Sequence, residues 1–298
     1  MSNRSTHQGI VVGVDGSPAS RAAARWAARE AVMHNVALTL FHVRHVRTCS
    51  PQVFGRLTDP GADLDQQQAA MGQQIIVDAI KVIEGSLKSE TLPQVNGEVL
   101  SGPPVPTLVD LSKDAQMVVV GCRGQGLLSR VSLGSVSTGV LHHAHCPVAV
   151  VHNEAPFALQ PSQLPVVVGV DGSPVSELAI AIAFDEASLR GVELIALHAW
   201  RDVDVAGIPS IEWSAQQGVA EEALAERLAG WQERYPDVVV HRRIVWDRPA
   251  SHLLDEAESS QLVVVGSRGR GGFAGMLLRS VSTAVAQAAR VPVIVARR

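Results

Sequence analysis

Two short stretches of this chain combine residue types suited to a ligand site, and the first suits a phosphate. The first contains Gly121, Gly124, Gly134 and Ser135 in the order G-2x-G-9x-G-S, with Val136 and Ser137 directly after. Without a Cβ, Gly121 and Gly124 let the main chain approach a ligand closely. A helix opening near Ser135 would present its first N–H groups, which have no intrahelical acceptor, and the positive end of its dipole to an anion. Gly134 would then lie beside the terminal phosphates, with the hydroxyls of Ser135 and Ser137 as further donors. The second stretch is VGVDGSP, in which Asp15 closes an apolar run. An acid there either faces a ligand at the end of a strand or starts a turn, and Ser17 already suits the cap of the following helix.

Both stretches occur twice. VVGVDGSP stands at 11–18 and again at 167–174, and VVVG-x-RG at 118–124 and again at 263–269. Paired signatures at near-constant offset mean duplication. The chain is read as two copies of one domain, 1–152 and 165–298, joined by the linker NEAPFALQPSQL at 153–164. The second copy repeats the candidate residues as Asp171, Val265, Gly266, Arg268, Gly269, Ser280 and Ser282, but Arg279 stands where the first copy has Gly134. The first copy carries 11 extra residues, all within 44–94. His142, His143, His145 and Cys146 suggest metal ligands, yet their counterparts are Gln287, Ala288, Arg290 and Val291. Cations near a helix C-terminus are favourable without a metal, so no metal site is expected.

The elements that would position these residues follow from the apolar runs. Strands are expected at 9–14, 37–43, 95–100, 116–120 and 147–151, and again at 166–170, 193–198, 238–245, 261–265 and 292–296. Their near-continuous Val/Ile/Leu content suits strands buried on both faces of a parallel sheet. Helices lie between them, opening at Ser17-Pro18 and Ser173-Pro174 with serine caps. Ala220, Leu224, Leu228 and Trp231 recur at helical spacing and are read as a core stripe. Strands alternating with helices predict an α/β fold, an open doubly wound sheet in each half. Ligands of such sheets sit beyond the carboxyl ends of the strands, where strand order reverses.

Composition narrows the function. A net charge of −4 and 4% aromatics offer no footprint for nucleic acid or anionic lipid. No apolar run is long enough for a membrane span, and the polar first nine residues hold no signal-peptide core, so a cytoplasmic location is expected. Three cysteines, Cys49, Cys122 and Cys146, form no CxxC pair and argue against disulfide or zinc frameworks.

The glycine pattern, together with VGVDGS, the strands ending at His42-Val43 and His198-Ala199, and the closing runs CPVAVV and VPVIVA, resembles the ATP-binding type of the universal stress protein family. The resemblance spans essentially the whole chain, twice. It implies a Rossmann-like domain of five parallel strands in order 3-2-1-4-5, often dimeric, with tandem forms. Position by position it implies that Asp15 lies beside the nucleotide and that main chain near Val43 reads adenine. Val120, Gly121, Arg123 and Gly124 would surround ribose and α-phosphate, and Gly134, Ser135, Val136 and Ser137 would cradle the β- and γ-phosphates. In the second half Asp171, Ala199, Val265, Gly266, Arg268, Gly269, Arg279, Ser280, Val281 and Ser282 match likewise. ATP, with Mg²⁺ on its phosphates, would be the ligand. A homodimer of tandem chains is expected, with last strands that pair within one chain.

The function implied is regulatory, in stress adaptation, with little or no turnover. No Walker A motif or G-x-S-x-G elbow occurs, and no acid or histidine beside the loop recurs in both halves as a base. The alternatives are a slow ATP hydrolase, or a scaffold that binds another nucleotide. The run Gly269 to Ala274 fits a G-x-G-x-x-A dinucleotide motif, but it follows a fourth strand and lacks a counterpart in the first half. Oxidation of Cys122, between two loop glycines, would hinder nucleotide binding unless the thiol is a small buried side chain.

Overall fold

A computed structural model describes residues 9–44, 60–87, 93–124, 133–152, 163–200, 212–267 and 281–297. The chain divides into two compact units, Met1–Cys146 and Pro147–Arg298. The first contains β1 (Ile10–Gly13), α1 (Pro18–Met33), β2 (Leu38–Arg44), α2 (Pro60–Ser86), β3 (Val95–Ser101), α3 (Pro104–Leu111), β4 (Met117–Gly121) and α4 (Ser135–His143). Its strands lie in the order β3-β2-β1-β4 and are all parallel.

The second unit opens with β5 (Val148–Val151) and continues with β6 (Val166–Val170), α5 (Pro174–Arg190), β7 (Leu194–Trp200), α6 (Glu212–Arg234), β8 (Val240–Trp246), α7 (Pro249–Ala257), β9 (Leu262–Gly266), α8 (Val281–Ala288) and β10 (Val293–Ala296). Strands β8-β7-β6-β9-β10 realise the order 3-2-1-4-5 in parallel. β5 joins β10 antiparallel, Val150 opposite Val293 and Val148 opposite Val295. The pairing of the two last strands within one chain is therefore present. It also explains why the division of the fold falls at Cys146, six residues before the end of the first sequence repeat.

The core of each unit is the valine-rich centre of its sheet. Val11, Val12, Val118 and Val119 are fully buried in the first unit, as are Val167, Val168, Val263 and Val264 in the second. β3 and β8 depart from the expected two-sided burial. Asn96, Gly97 and Glu98 are exposed on one, and His241, Arg242 and Arg243 on the other. Both strands are edges, where exposed charge guards unpaired backbone groups against further pairing.

α1 forms because Ser17 caps it and Pro18 occupies the first helical position, where a missing N–H costs nothing. The Ser20 N–H donates to Ser17 Oγ at 3.1 Å, and in α5 the Ser176 N–H donates to Ser173 Oγ at 3.2 Å. An alanine-rich face of α1, from Ala22 to Ala31, packs on the sheet with almost no exposure. Ala220, Leu224 and Leu228 of α6 are buried as their spacing suggests. Trp231 is only half-buried, its ring 6.2 Å from Phe184 and 6.3 Å from Tyr235. α2 has 27 residues against 23 for α6, so part of the extra length of the first repeat is helix.

Candidate functional site

The site of the first unit is built where β1 leaves the sheet. The Val14 N–H still donates to the Phe41 carbonyl at 2.9 Å, and then Gly16, at φ 81°, turns the chain. That left-handed angle strains any residue with a Cβ. Asp15 Oδ1 accepts the Ser17 N–H at 2.9 Å, closing the turn. Its other oxygen faces the glycine loop, where a Cβ added to Gly124 would stand 2.5 Å from Oδ2. One carboxylate thus serves the turn and borders the loop at once.

Three contacts fix the base of that loop. Ser17 Oγ donates to the Arg123 carbonyl at 3.3 Å, the Gly134 N–H donates to the Cys122 carbonyl at 2.8 Å, and Ser137 Oγ donates to the Gly121 carbonyl at 2.6 Å. Asp15, Arg123, Gly124 and Gly134 are thereby brought together at the carboxyl ends of β1 and β4. Val120 and Gly121 form the buried floor, and Val43 lies half-buried at the end of β2. Residues 125–132, which complete the loop, lie outside the described set.

Two expectations gain a physical reason or a limit. Packing by itself requires a glycine at 121, whatever a ligand needs: a Cβ there would fall 2.6 Å from the Ala19 carbonyl carbon and 2.8 Å from Ser20 N. The first turn of α1 packs directly against it. The Ser137 hydroxyl is likewise spent within the protein, on the Gly121 carbonyl, and the residue is 4% exposed. Only its main chain is left to face a ligand.

Gly134 behaves differently. At φ −62° and ψ 156° its backbone is open to any residue, and an added Cβ would meet nothing nearer than 3.5 Å, at Arg123 Cα and Gly124 N. Among the described residues nothing requires a glycine there. The space a Cβ would fill lies at the head of α4, whose first intrahelical bond runs from Thr138 N–H to the Gly134 carbonyl. The N–H groups of Ser135, Val136 and Ser137 precede that bond, and among the described residues no side chain caps them. α1 and α5 begin at serine caps; α4 begins without a side-chain cap among the described residues, with the exposed Ser135 at its mouth. Such a terminus suits an anion, and the neighbouring Asp15 carboxylate suits hydroxyl or amine donors on the same ligand.

The second unit repeats the frame. Asp171 Oδ1 accepts the Ser173 N–H at 2.9 Å, and Gly266 lies beside α5, its added Cβ 3.3 Å from the Val175 carbonyl carbon. Ser282 is 5% exposed and its hydroxyl donates to the Ser267 carbonyl at 3.4 Å, so it too is internal rather than a phosphate donor. Val265 is buried, and Ala199 and Val281 are half-buried. Arg268, Gly269, Arg279 and Ser280 lie outside the described residues.

In the sequence, His42 and His198 mark only strand ends. In the structure His42 Nδ1 lies 2.8 Å from the Val14 carbonyl oxygen, and His198 Nδ1 lies 2.7 Å from that of Val170. Their recurrence at the same place in both repeats was the available signal. Cys122 is 6% exposed, which favours the buried-side-chain reading over a reactive thiol. The rings of His142 and His143 meet edge-on at 6.4 Å at the end of α4.

A model of the universal stress protein family matches this chain twice, over residues 7–152 and 164–297. The chain belongs to the universal stress protein family. A universal stress protein of Mycobacterium tuberculosis H37Rv is 53% identical over 298 residues, covering 100% of this chain and 99% of its own. Another from the same organism is 52% identical over 300 residues and is covered in full. The tandem fold recurs in a crystal structure of a universal stress protein from Archaeoglobus fulgidus, with a TM-score of 0.70 at 22% identity over 97% of this chain and 98% of that one. Among the described residues no helix is long and apolar enough to cross a membrane.

Proposed function

We propose that this universal stress protein binds ATP at the carboxyl end of each sheet and acts as a nucleotide-responsive regulator in stress adaptation, without dedicated turnover. The observation that carries the reading is the uncapped first turn of α4 behind Gly134, next to Asp15. The N–H groups of Ser135, Val136 and Ser137 take the terminal phosphates, with any Mg²⁺ held on the outer phosphate oxygens. Main chain around Gly121, Arg123 and Gly124 borders the α-phosphate and ribose. Asp15 accepts from sugar hydroxyls, and the main chain at Val43 reads the base. No side chain is assigned a catalytic role, because the sequence carries no Walker A motif with its phosphate-binding lysine.

Asp171, the main chain of Ala199 and Gly266, and the main chain of Ser282 carry the second site. There Arg279 trades close approach of the main chain for a flexible cation that can pair with the same phosphates. The second site is accordingly weaker, with a different phosphate pose. Tandem chains associate further as homodimers, which light scattering tests directly.

Acid release of whatever copurifies with the protein, identified by mass spectrometry, is the first experiment. ATP is the expected ligand, in up to two copies per chain. A different nucleotide would favour the scaffold reading, and steady release of ADP from added ATP would favour the hydrolase.

A further inference from the structure

We propose that His42 and His198 are positioning residues for the nucleotide sites, each clasping the peptide that presents the site aspartate. The proposal rests on the ATP reading of those sites. A carbonyl oxygen can only accept, so the nitrogen 2.8 Å from the Val14 oxygen carries the proton, and so does the one 2.7 Å from the Val170 oxygen. This sets each ring in the Nδ1–H tautomer.

The pinned carbonyl shares one rigid plane with the next residue's N–H. In the first unit that N–H is the one on Asp15, which points to Ser20 Oγ at 3.4 Å. In the second it is the Asp171 N–H, 3.1 Å from Ser176 Oγ. The carboxylate itself is then tied by the Ser17 or Ser173 N–H, at 2.9 Å in both units. Histidine, serine hydroxyl and serine amide thus hold three successive points of the same segment, and the arrangement is duplicated in full.

In the first unit the clasp also sits where regular pairing runs out. Pairing of β1 with β2 ends at Gly13–Phe41, one residue short of Val14. The ring takes hold of the first carbonyl beyond that pair. In the first unit α2 backs the ring: a Cβ on Gly72 would come 2.8 Å from His42 Cδ2. A glycine there lets the helix press on the imidazole and keep it from turning away.

The test compares His42→Leu/His198→Leu with His42→Asn/His198→Asn in the full chain. Asparagine Nδ2, like histidine Nδ1, is bonded to Cγ and can donate to the same carbonyl. Calorimetry with ATP should show about tenfold weaker binding in the leucine pair, the equivalent of about 1.4 kcal/mol. The asparagine pair should stay close to wild type. Gly72→Ala, which keeps the donor and displaces the ring, should weaken one of the two sites, and it carries the test if the leucine pair does not fold. Nitrogen NMR of the unliganded chain should find Nδ1 protonated in both histidines. A wild type that takes up no ATP would sink the nucleotide reading and this assignment together. A wild type that binds would sink the assignment alone if leucine and asparagine pairs behaved alike, if Gly72→Ala bound as wild type, or if either ring carried its proton only on Nε2.

Discussion

Replacing Gly134 with valine separates the needs of the ligand from the needs of the fold. At φ −62° and ψ 156° the backbone accommodates valine without strain, and the nearest atoms to its Cβ are 3.5 Å away. Valine is a poorer helix cap than glycine, so stability should fall by about 1 kcal/mol at most. The isopropyl group would occupy the space in front of the Ser135 and Val136 N–H groups, where a phosphate oxygen must come. Each hydrogen bond to a charged group is worth about 1.5–3 kcal/mol, so losing one weakens binding roughly 10- to 150-fold. Calorimetry on wild type and variant reads this as loss of one class of sites while the second unit's heat remains. Thermal unfolding should barely move. An isotherm identical to wild type, in a folded variant, would mean that phosphate does not approach the head of α4 and that the site has been placed wrongly.

Gly121→Ala should do the opposite, lowering stability by about 1–3 kcal/mol through overpacking, because its Cβ would meet the Ala19 carbonyl carbon at 2.6 Å; urea denaturation checks it, and an unchanged midpoint refutes the packing argument. Gly230→Ala in α6 meets open space and should stabilise the second unit by about 0.5–1 kcal/mol, again read from denaturation. Cys122 and Cys146 are both buried, so thiol reagents should modify them slowly in the native chain and rapidly in denaturant; fast native labelling of Cys122 with loss of ATP binding would restore the redox reading. Burial, and next the charge of Asp185, push the Tyr235 phenol above its ordinary 10.0. The unfolded chain then ionises first as pH rises, so stability is fully present below 10.0 and declines above it until the folded phenol titrates. Tyr235→Phe should flatten that alkaline decline, and an identical decline in the variant would contradict it.

The duplication and the strand positions are legible in the amino-acid sequence alone. Valine-rich runs such as Val118–Val120 and Val166–Val168 have no stable alternative to a buried strand, so they were legible within two residues of their ends. The turns after β1 and β6 were legible for a similar reason, because Asp, Gly and Ser each satisfy neighbouring backbone groups from within the segment itself. What the tertiary structure alone decided is which atoms remain for a ligand. Ser137 looks like a phosphate donor until its hydroxyl is found on the Gly121 carbonyl, 16 positions away. Gly121 is needed bare by the packing of α1 against it, whereas among the described residues nothing in the packing needs Gly134 bare. His42 reads as an ordinary strand residue until β1 and β2 are side by side and its ring meets a carbonyl 28 positions earlier. Composition and periodicity report where apolar surface must be buried. The pairing of polar groups depends on distances that exist only once the sheet is assembled.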